Sequence, residues 1–459
     1  MNSKLKGQLA VVIGGSMAGL MTTRVLANHF ERVLLIEKDA FPEAVAPRKG
    51  VPQSRHLHAL LAGGRAVLER YFPGLTSELV AAGAQTGDMG LLTRWYQYGG
   101  YKKPFKSELQ GLLMSRPLLE TYVRNRTLVL PNVTVREQTG VTALLTHPDQ
   151  RRVTGVRLES RSDDAPPEDV AADLVVDASG RGSAAPRWLT AIGYEKPVER
   201  EVTINVGYAT RIYRRTPDHL PGAALTITLP EPPFDKRGGF LFPIEGDRWI
   251  VTLPGLLHDY CPGDEAGFLA FARSLCAPDI YNVISRAEPL SDIMTARFPA
   301  SLRRHYEKLR RFPERFLVLG DAVCSFNPIY GQGMTSATLQ AQVLDHLLRQ
   351  RATLDGLWKP QFRAAAKIVD IPWQLATNED FRYPETQGER PPGVTLLNRY
   401  VGAVHRAVHH DPVVYKAFLE VVNLLRPPQA LMRPSVLLRV LMGAYRQPRP
   451  SGVSPVTPR

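Results

Sequence analysis

The sequence predicts an α/β fold in which a Rossmann-like dinucleotide-binding domain is interleaved with an antiparallel-sheet domain and followed by a helical C-terminal region. Three observations predict it: a glycine-rich strand–turn–helix–strand unit near the start, period-two apolar alternation in the middle, and a helical, proline-punctuated pattern from about residue 351. The expected boundaries are 1–90, 112–195 and 300–350 for the dinucleotide domain, 91–111 and 196–299 for the sheet domain, 351–446 for the helical region and 447–459 for a disordered tail.

Composition narrows the functional classes. The 459 residues carry a net charge of +13, from 57 Lys and Arg against 44 Asp and Glu, yet no zinc finger, RNA-binding aromatic signature or clustered basic run is present. We therefore expect no nucleic-acid partner. The three cysteines show no Cys-x-x-Cys spacing, and the chain enters a strand by about Leu9 without an apolar leader, so we expect no structural metal and a cytoplasmic location.

The first nucleotide half-site is a βαβ unit. Residues 8–13 form an apolar strand, a glycine turn and helix follow, and a second strand over 32–36 ends in Glu37. The glycines permit close approach of the backbone to a pyrophosphate, and Glu37 can accept from a ribose hydroxyl. Ser16 replaces the usual middle glycine and can donate to phosphate. The predicted contacts of the turn are Gly14, Gly15, Ser16, Met17, Ala18 and Gly19.

A second glycine pattern spans 173–185, where a strand runs into Gly180 and Gly182. The next strand-like run, 202–206, follows acids and does not end in one, so this βαβ unit does not close. We therefore expect no separate pyridine-nucleotide domain. Electrons would come from NAD(P)H that visits transiently or from a reductase protein.

A late segment completes the nucleotide site. The apolar strand 316–319 leads to Asp321, which can hold a ribose-type hydroxyl, and a Pro-x-x-Gly-x-Gly turn then opens a small-residue helix. Backbone N–H groups and the positive end of such a helix can face an electron-rich ring. This geometry suits a flavin, so the sequence predicts FAD as the cofactor.

Three segments, 14–37, 173–183 and 320–334, resemble the flavoprotein monooxygenases of the aromatic-hydroxylase and squalene-epoxidase type. Within that superfamily the chain most resembles the FAD-dependent epoxidases of polyether antibiotic biosynthesis, with further supporting stretches at 48–56, 243–245 and 248–252. The resemblance covers about residues 8 to 350 and implies that the dinucleotide domain binds FAD.

The resemblance also implies residue roles. Glu37 would bind the adenosine ribose, Arg48 the pyrophosphate and Asp321 the ribityl or phosphate region. Pro328 would abut the flavin ring, and Gln332, which stands where some relatives carry His, is with Pro328 a candidate near the reacting ring. The remaining implied cofactor contacts are Lys38, Gly50, Val51, Arg116, Val141, Gly331, Gly333 and Met334.

The implied reaction is transfer of one oxygen atom from a flavin C4a-peroxide to an apolar polyketide- or terpenoid-like secondary metabolite, as epoxidation or hydroxylation. Two alternatives share the FAD frame. One is a non-redox [4+2] cyclase that uses FAD structurally, and the other is an FAD-dependent reductase of isoprenoid double bonds. Assigning oxygenation first is an argument from analogy.

The middle region supplies candidate substrate contacts. It predicts an antiparallel floor under the cavity, with Trp95 to Tyr98 adding a further wall; half of any strand's residues face the other way. His56 and His58, two residues apart on an expected helix, would point away from each other and could not chelate a metal. Arginines interleaved with apolar groups after residue 420 permit weak membrane-surface contact, although a helix packed on the body is favoured. The predicted lining residues are Tyr208, Phe240, Phe242 and Trp249.

Overall fold

A computed structural model describes residues 5–162 and 165–446, so the predicted disordered tail, 447–459, lies outside the described residues. The strands are β1 (Gly7–Ile13), β2 (Phe30–Ile36), β3 (Gln85–Asp88), β4 (Thr93–Gln97), β5 (Gly100–Tyr101), β6 (Gln110–Leu113), β7 (Val133–Arg136), β8 (Thr139–Thr146), β9 (Val153–Ser160), β10 (Glu168–Ala171), β11 (Leu174–Asp177), β12 (Glu199–Arg214), β13 (Leu225–Thr228), β14 (Gly239–Ile244), β15 (Arg248–Gly255), β16 (Met294–Arg304), β17 (Phe316–Val318), β18 (Cys324–Ser325) and β19 (Gln387–Gly388). The α-helices are α1 (Met17–Leu26), α2 (Ala62–Tyr71), α3 (Leu75–Ala81), α4 (Met89–Leu92), α5 (Arg116–Leu128), α6 (Ala185–Ala191), α7 (Glu265–Arg273), α8 (Asp279–Ile284), α9 (Gly333–Gln350), α10 (Trp358–Asp380), α11 (Val394–Ala407), α12 (Pro412–Val422) and α13 (Pro434–Arg446).

A five-stranded parallel sheet forms the nucleotide half of the molecule, in the order β17–β11–β1–β2–β7. The apolar run of β1 suits its central place because both faces are covered: Val11 and Val12 are fully buried and belong to cores on opposite sides of the sheet. Helices α1 and α9 pack against each other on one face. Segments from the first and last thirds of the chain therefore meet on one face of this sheet.

The strand of the second glycine pattern, β11, lies inside this same sheet between β1 and β17. Its terminal Asp177 accepts from the Ser179 amide at 2.9 Å and from the Ser183 hydroxyl at 2.5 Å, which fixes the turn that follows. The second glycine pattern thus adds a turn to one nucleotide sheet.

A second, largely antiparallel sheet has the order β18–β16–β12–β15–β14–β13–β4–β5, with β19 paired to β12. Its strands include the predicted runs at 202–206, 239–242 and 249–253, and the 16-residue β12 forms its spine. The pair β4–β13 is parallel. The short strand β18 pairs with β16 at the edge of this sheet. Since β17 is an edge strand of the first sheet, the chain passes from one sheet to the other just before the turn at 328–334.

The C-terminal helices α11, α12 and α13 form their own apolar cluster, against which Trp95 of β4 also packs. Among residues 5–162 and 165–446, no helix has the length and apolar character needed to cross a bilayer. The helical region thus covers the sheet domain on the side that faces the late segment.

Candidate functional site

One cavity of about 1100 Å³ lies between the two sheets and under the C-terminal helices. Glu37 and Asp321, nearly three hundred residues apart in sequence, both line it. Gly19 does not line it. The other predicted cofactor contacts all do: Gly14, Gly15, Ser16, Met17, Ala18, Glu37, Lys38, Arg48, Gly50, Val51, Arg116, Val141, Asp321, Pro328, Gly331, Gln332, Gly333 and Met334.

The N-terminal glycine turn is shaped by close contacts. A Cβ on Gly15 would lie 2.6 Å from the Phe41 ring, and one on Gly19 would lie 1.6 Å from the carbonyl oxygen of Gly14. Gly19 therefore allows α1 to pack on the turn, which explains why it lies outside the cavity. Ser16 precedes α1 but makes no side-chain cap, so first-turn amides of the helix remain open to the cavity.

Glu37 and Arg48 form a buried ion pair at the end of β2. Arg48 NH1 lies 2.9 Å from Glu37 Oε2, and Arg48 NH2 donates to the Gly15 carbonyl at 2.9 Å. Glu37 Oε2 also accepts from the Gly15 amide at 2.8 Å. These bonds hold an acid and a guanidinium on the glycine turn, the place expected for ribose and pyrophosphate.

Glu120 of α5 is a buried carboxylate that joins two cavity-lining arginines, and the sequence reasoning missed it. Its Oε1 accepts from Arg48 Nε at 2.8 Å, and its Oε2 accepts from Arg116 NH2 at 2.7 Å. Although burial opposes the change, Arg116 and Arg48 hold the pKa of Glu120 below its usual value. The spacing of Arg116 and Glu120, one helical turn apart, was a visible signal. The link to Arg48 depends on the tertiary fold.

The late segment presents a helix end to the cavity. Helix α9 begins at Gly333 and has no side-chain cap, and Gly331 adopts a left-handed φ of 66° that the turn requires. Gln332 Nε2 donates to the Val422 carbonyl at 3.4 Å, and its Oε1 is buried without a partner. Asp321 faces the cavity; its deep position raises its pKa, and Arg116 and Arg181 oppose that rise.

These groups fit a flavin dinucleotide. Two uncapped helix ends, at Ser16 and Gly333, provide N–H groups for phosphate and for an electron-rich ring, while Arg48 and Arg116 provide positive charge between them. The cavity is long enough to connect these groups and continues beyond them over the second sheet.

Tyr330 and Asp380 add an acid–phenol pair beside the late turn. The Tyr330 hydroxyl donates to Asp380 Oδ1 at 3.4 Å, and the Asn327 side-chain amide donates to the same oxygen at 2.9 Å. Burial raises the pKa of Asp380 to about 7. Tyr330 lines the cavity. The acid comes from α10, far from the motifs, so no sequence pattern pointed to it.

His56 and His58 both line the cavity but do not lie on an α-helix, which corrects the sequence prediction. A short 3₁₀ turn ends at Arg55 and the following chain is irregular, because the tight turn at Pro52 is not continued. His56 Nδ1 lies 2.8 Å from the Thr210 hydroxyl. Burial lowers the pKa of His56 to about 4 and that of His58 to about 3, so both rings are neutral at pH 7.

In the described part of the chain, no group of three His, Cys, Asp or Glu side chains could hold a metal ion.

The floor of the cavity is the face of the second sheet that carries Tyr208, Phe240 and Phe242. Trp249 was predicted to line the cavity, and that prediction is wrong. Phe242 pairs with Ile250, so Trp249, one residue along β15, points to the opposite face. There it is 1 % exposed and packs in the core under α7 and α8.

Side chains of the predicted wall at 95–98 also alternate between the two faces of the sheet. Trp95 and Gln97 line the cavity, whereas Tyr96 and Tyr98 do not. The C-terminal helices, which the sequence reasoning did not assign to the site, extend this wall, and the Phe418 ring packs on that of Trp95 at 5.6 Å between ring centroids. The lining residues of this C-terminal part of the wall are Leu397, Tyr400, Val404, His405, Phe418 and Met432.

Comparison with known proteins shows the family to which this chain belongs. The profile of a family described as FAD binding domain matches residues 8–351. Protein Rv3254 of Mycobacterium tuberculosis is 36% identical over 447 residues, which cover 93% of this chain and 91% of that protein.

Solved structures share the fold. The p-nitrophenol 4-monooxygenase PnpA of Pseudomonas putida superposes with a TM-score of 0.63 at 16% identity, over 92% of this chain and 99% of that one. The flavin-dependent brominase Bmp2 superposes with a TM-score of 0.66 at 15% identity, over 96% and 99%. The fold class and the FAD cofactor predicted from the sequence are confirmed. The prediction that the protein is an FAD-dependent oxidoreductase is confirmed as well. At such identities the likeness to solved structures is one of fold.

Proposed function

Because the chain belongs to the FAD-binding domain family, we propose that it is a monooxygenase that epoxidises or hydroxylates an apolar polyketide- or terpenoid-like secondary metabolite. One observation carries the proposal: the cavity that holds the nucleotide-binding groups continues without a break over an aromatic sheet floor and under apolar helices. A non-redox or purely structural use of FAD would not require this apolar space to adjoin the ring-facing turn. The likeness of the motifs to polyether epoxidases favours epoxidation within this class.

The positions of the cavity-lining residues support the cofactor contacts that we propose. Glu37 holds the adenosine ribose, Arg48 and Arg116 hold the pyrophosphate, and Asp321 holds the ribityl chain. The uncapped end of α9 at Gly333 stabilises negative charge on the ring. Reduced FAD, when bound, supplies the activation of molecular oxygen, and the chain supplies position, charge and dryness.

The chain's own residues set the reaction space. Pro328 and Gln332 border the ring-facing turn, and the free Oε1 of Gln332 offers a hydrogen-bond acceptor there. Tyr208, Phe240 and Phe242 form the apolar floor on which the substrate lies. Water exclusion by this floor would favour oxygen transfer to the substrate over the release of hydrogen peroxide.

The same proposal covers the partners. Electrons come from NAD(P)H that visits transiently or from a reductase. The second glycine pattern supports this because it contributes a strand and a turn to the FAD-type sheet and does not begin a separate dinucleotide domain in the described residues. The three cysteines are unpaired, which suits the reducing cytoplasm. Helix α13 carries an outward stripe, defined as Leu438, Leu441 and Met442, whose side chains are each about half exposed. This stripe supports weak contact with a membrane surface, from which apolar substrates partition.

The test is oxygen incorporation. Purified holoenzyme, NADPH or photoreduced flavin, and a panel of polyene and terpenoid alkenes are incubated under ¹⁸O₂, and products are analysed by mass spectrometry. We expect a mass gain of one ¹⁸O atom per turnover. Product formed without oxygen and without reductant would instead identify a cyclase, and hydrogenated product under anaerobic reduction would identify a reductase; either outcome refutes the proposal.

A further inference from the structure

Lys102 is a buried amine without an ion-pair partner. It follows β5, its side chain is 2 % exposed, and no carboxylate of the described residues lies within 4 Å of its Nζ. Burial lowers its pKa well below the usual lysine value, opposed only by Glu379 at longer range. Glu379 has its own partner, Arg382, at 3.6 Å. A buried ammonium normally requires a compensating anion, so Lys102 is incompletely satisfied.

The groups that contact the Lys102 amine are all cavity-lining residues. Its Nζ lies 4.1 Å from the centre of the Trp95 ring and 4.7 Å from that of Phe418. It also lies 3.4 Å from Gln97 Oε1 and 3.3 Å from His405 Nδ1. Trp95, Gln97, His405 and Phe418 come from three separate elements and line one wall. The amine therefore lies directly behind that wall.

His405 can relay this charge to the cavity. When an acid is bound and Lys102 is charged, its ammonium only donates, so His405 Nδ1 accepts from it and the hydrogen of the neutral ring lies on Nε2. No described residue hydrogen-bonds Nε2. Burial, followed by Lys102, lowers the pKa of His405 well below its usual value, so the ring stays neutral. Trp95 Nε1 is a second buried donor in this wall, and it has no hydrogen-bond partner among the described residues.

We propose that Lys102 and His405 form an acid-recognition site, which binds a carboxylate carried by the otherwise apolar substrate. The carboxylate accepts from His405 Nε2 and supplies the anion that Lys102 lacks. The inference deepens the proposed function by naming a substrate class: amphiphilic acids. Phe418 lies one turn of α12, about 6 Å, before Val422, whose carbonyl binds Gln332. The acid group would therefore anchor the substrate close to the ring-facing turn.

The test measures binding to oxidised holoenzyme, without reductant, by changes in flavin absorbance and by calorimetry. The probes are matched acids, methyl esters and methyl ketones: dodecanoic acid, retinoic acid and 4-phenylbutanoic acid with their neutral counterparts. We expect at least one acid to bind about tenfold more tightly than its ester and ketone. Lys102→Met should remove that preference and leave ester affinity unchanged.

The matched control is Lys103→Met, which removes the same charge from an exposed neighbouring residue and should keep the preference. His405→Phe provides a second route if Lys102→Met fails to retain flavin, and it should lose the preference as well. Acids that bind no better than esters or ketones, or an acid preference that survives in both variants, would overturn the proposal. Because no turnover is measured, this outcome is distinct from failure of the oxygenation test.

Discussion

Glu120→Gln tests whether Arg48 and Arg116 form the pyrophosphate site. In the native protein, Glu120 neutralises both arginines at 2.8 and 2.7 Å. After the substitution Arg48 keeps the Glu37 carboxylate at 2.9 Å, but Arg116 keeps only neutral partners: the Ser16 hydroxyl at 2.9 Å and the amide oxygen of the new glutamine. A buried charge that loses its partner costs about 3 to 5 kcal/mol. Glutamine preserves the size of the side chain, so the change is one of charge.

This loss of unfolding free energy can be expressed as a shift of the melting temperature. An unfolding entropy of about 2.1 cal/mol/K per residue gives about 1 kcal/mol/K for a chain of this length, so about 1 °C is lost per kcal/mol. We expect apoprotein with Glu120→Gln to melt roughly 3 to 5 °C below the wild type. Because the dianionic pyrophosphate restores the missing negative charge, saturating FAD should stabilise the variant more than the wild type and remove at least half of that difference.

The assay is differential scanning fluorimetry of apoprotein with and without FAD, at two salt concentrations. The matched control is Glu307→Gln, which breaks a partly buried pair at the same i, i+4 spacing: Arg303 Nη2 lies 3.3 Å from Glu307 Oε1, away from the cavity. That variant should lose stability yet gain the same increment from FAD as the wild type. If FAD raises the melting temperature of Glu120→Gln no more than that of the wild type, the pyrophosphate does not lie at these arginines.

Three further predictions follow. Asp380 has a pKa raised from 3.8 to about 7, so the folded state holds a proton that the unfolded state releases; stability should fall as pH rises from about 4 to 7, and Asp380→Asn should flatten this slope in denaturant titrations. A wild-type slope equal to that of the variant would contradict the burial argument. Trp249→Ala should cost about 3 to 5 kcal/mol of unfolding free energy, because the ring is buried in the core behind the sheet. Phe242→Ala should instead weaken ligand binding more than stability, and the reverse ranking would place the cavity on the wrong face. Leu438→Ser in the outward stripe should reduce co-sedimentation with anionic vesicles by about half or more while leaving FAD content unchanged; undiminished sedimentation would exclude the stripe as the contact.

Local chemistry made the nucleotide half predictable. The glycine turn at 14–19, its strand and Glu37 are contiguous, and steric contacts such as that of Gly19 with the Gly14 carbonyl leave no other residue possible there. That Glu37 and Asp321 line the same cavity was predictable because each follows a predicted strand, and the carboxyl ends of parallel strands meet at one edge of a sheet. Whether the expected domain boundaries match folding units stays a prediction.

The rest of the site depends on tertiary placement. The face of Trp249 is set by the register of β14 with β15, and a shift of one residue would have reversed it. Lys102 and Lys103 are adjacent in the sequence with nothing to distinguish them, and the approach of α11 and α12 buries only the first. Asp380 lies fifty residues after Tyr330, through which it contacts the late turn. Sequence spacing carries no information about such long-range contacts.

The bond between Gln332 and the Val422 carbonyl joins two parts of the chain with different constraints. The family profile ends at 351, whereas the helices that close the cavity begin beyond it. Substitutions in these helices can therefore change the apolar wall of the cavity while the glycine turn at 14–19 and the late turn at 328–334 keep their own residues. Exchanging residues 352–446 between relatives offers a direct route to new catalysts, provided that the junction at Val422 is preserved.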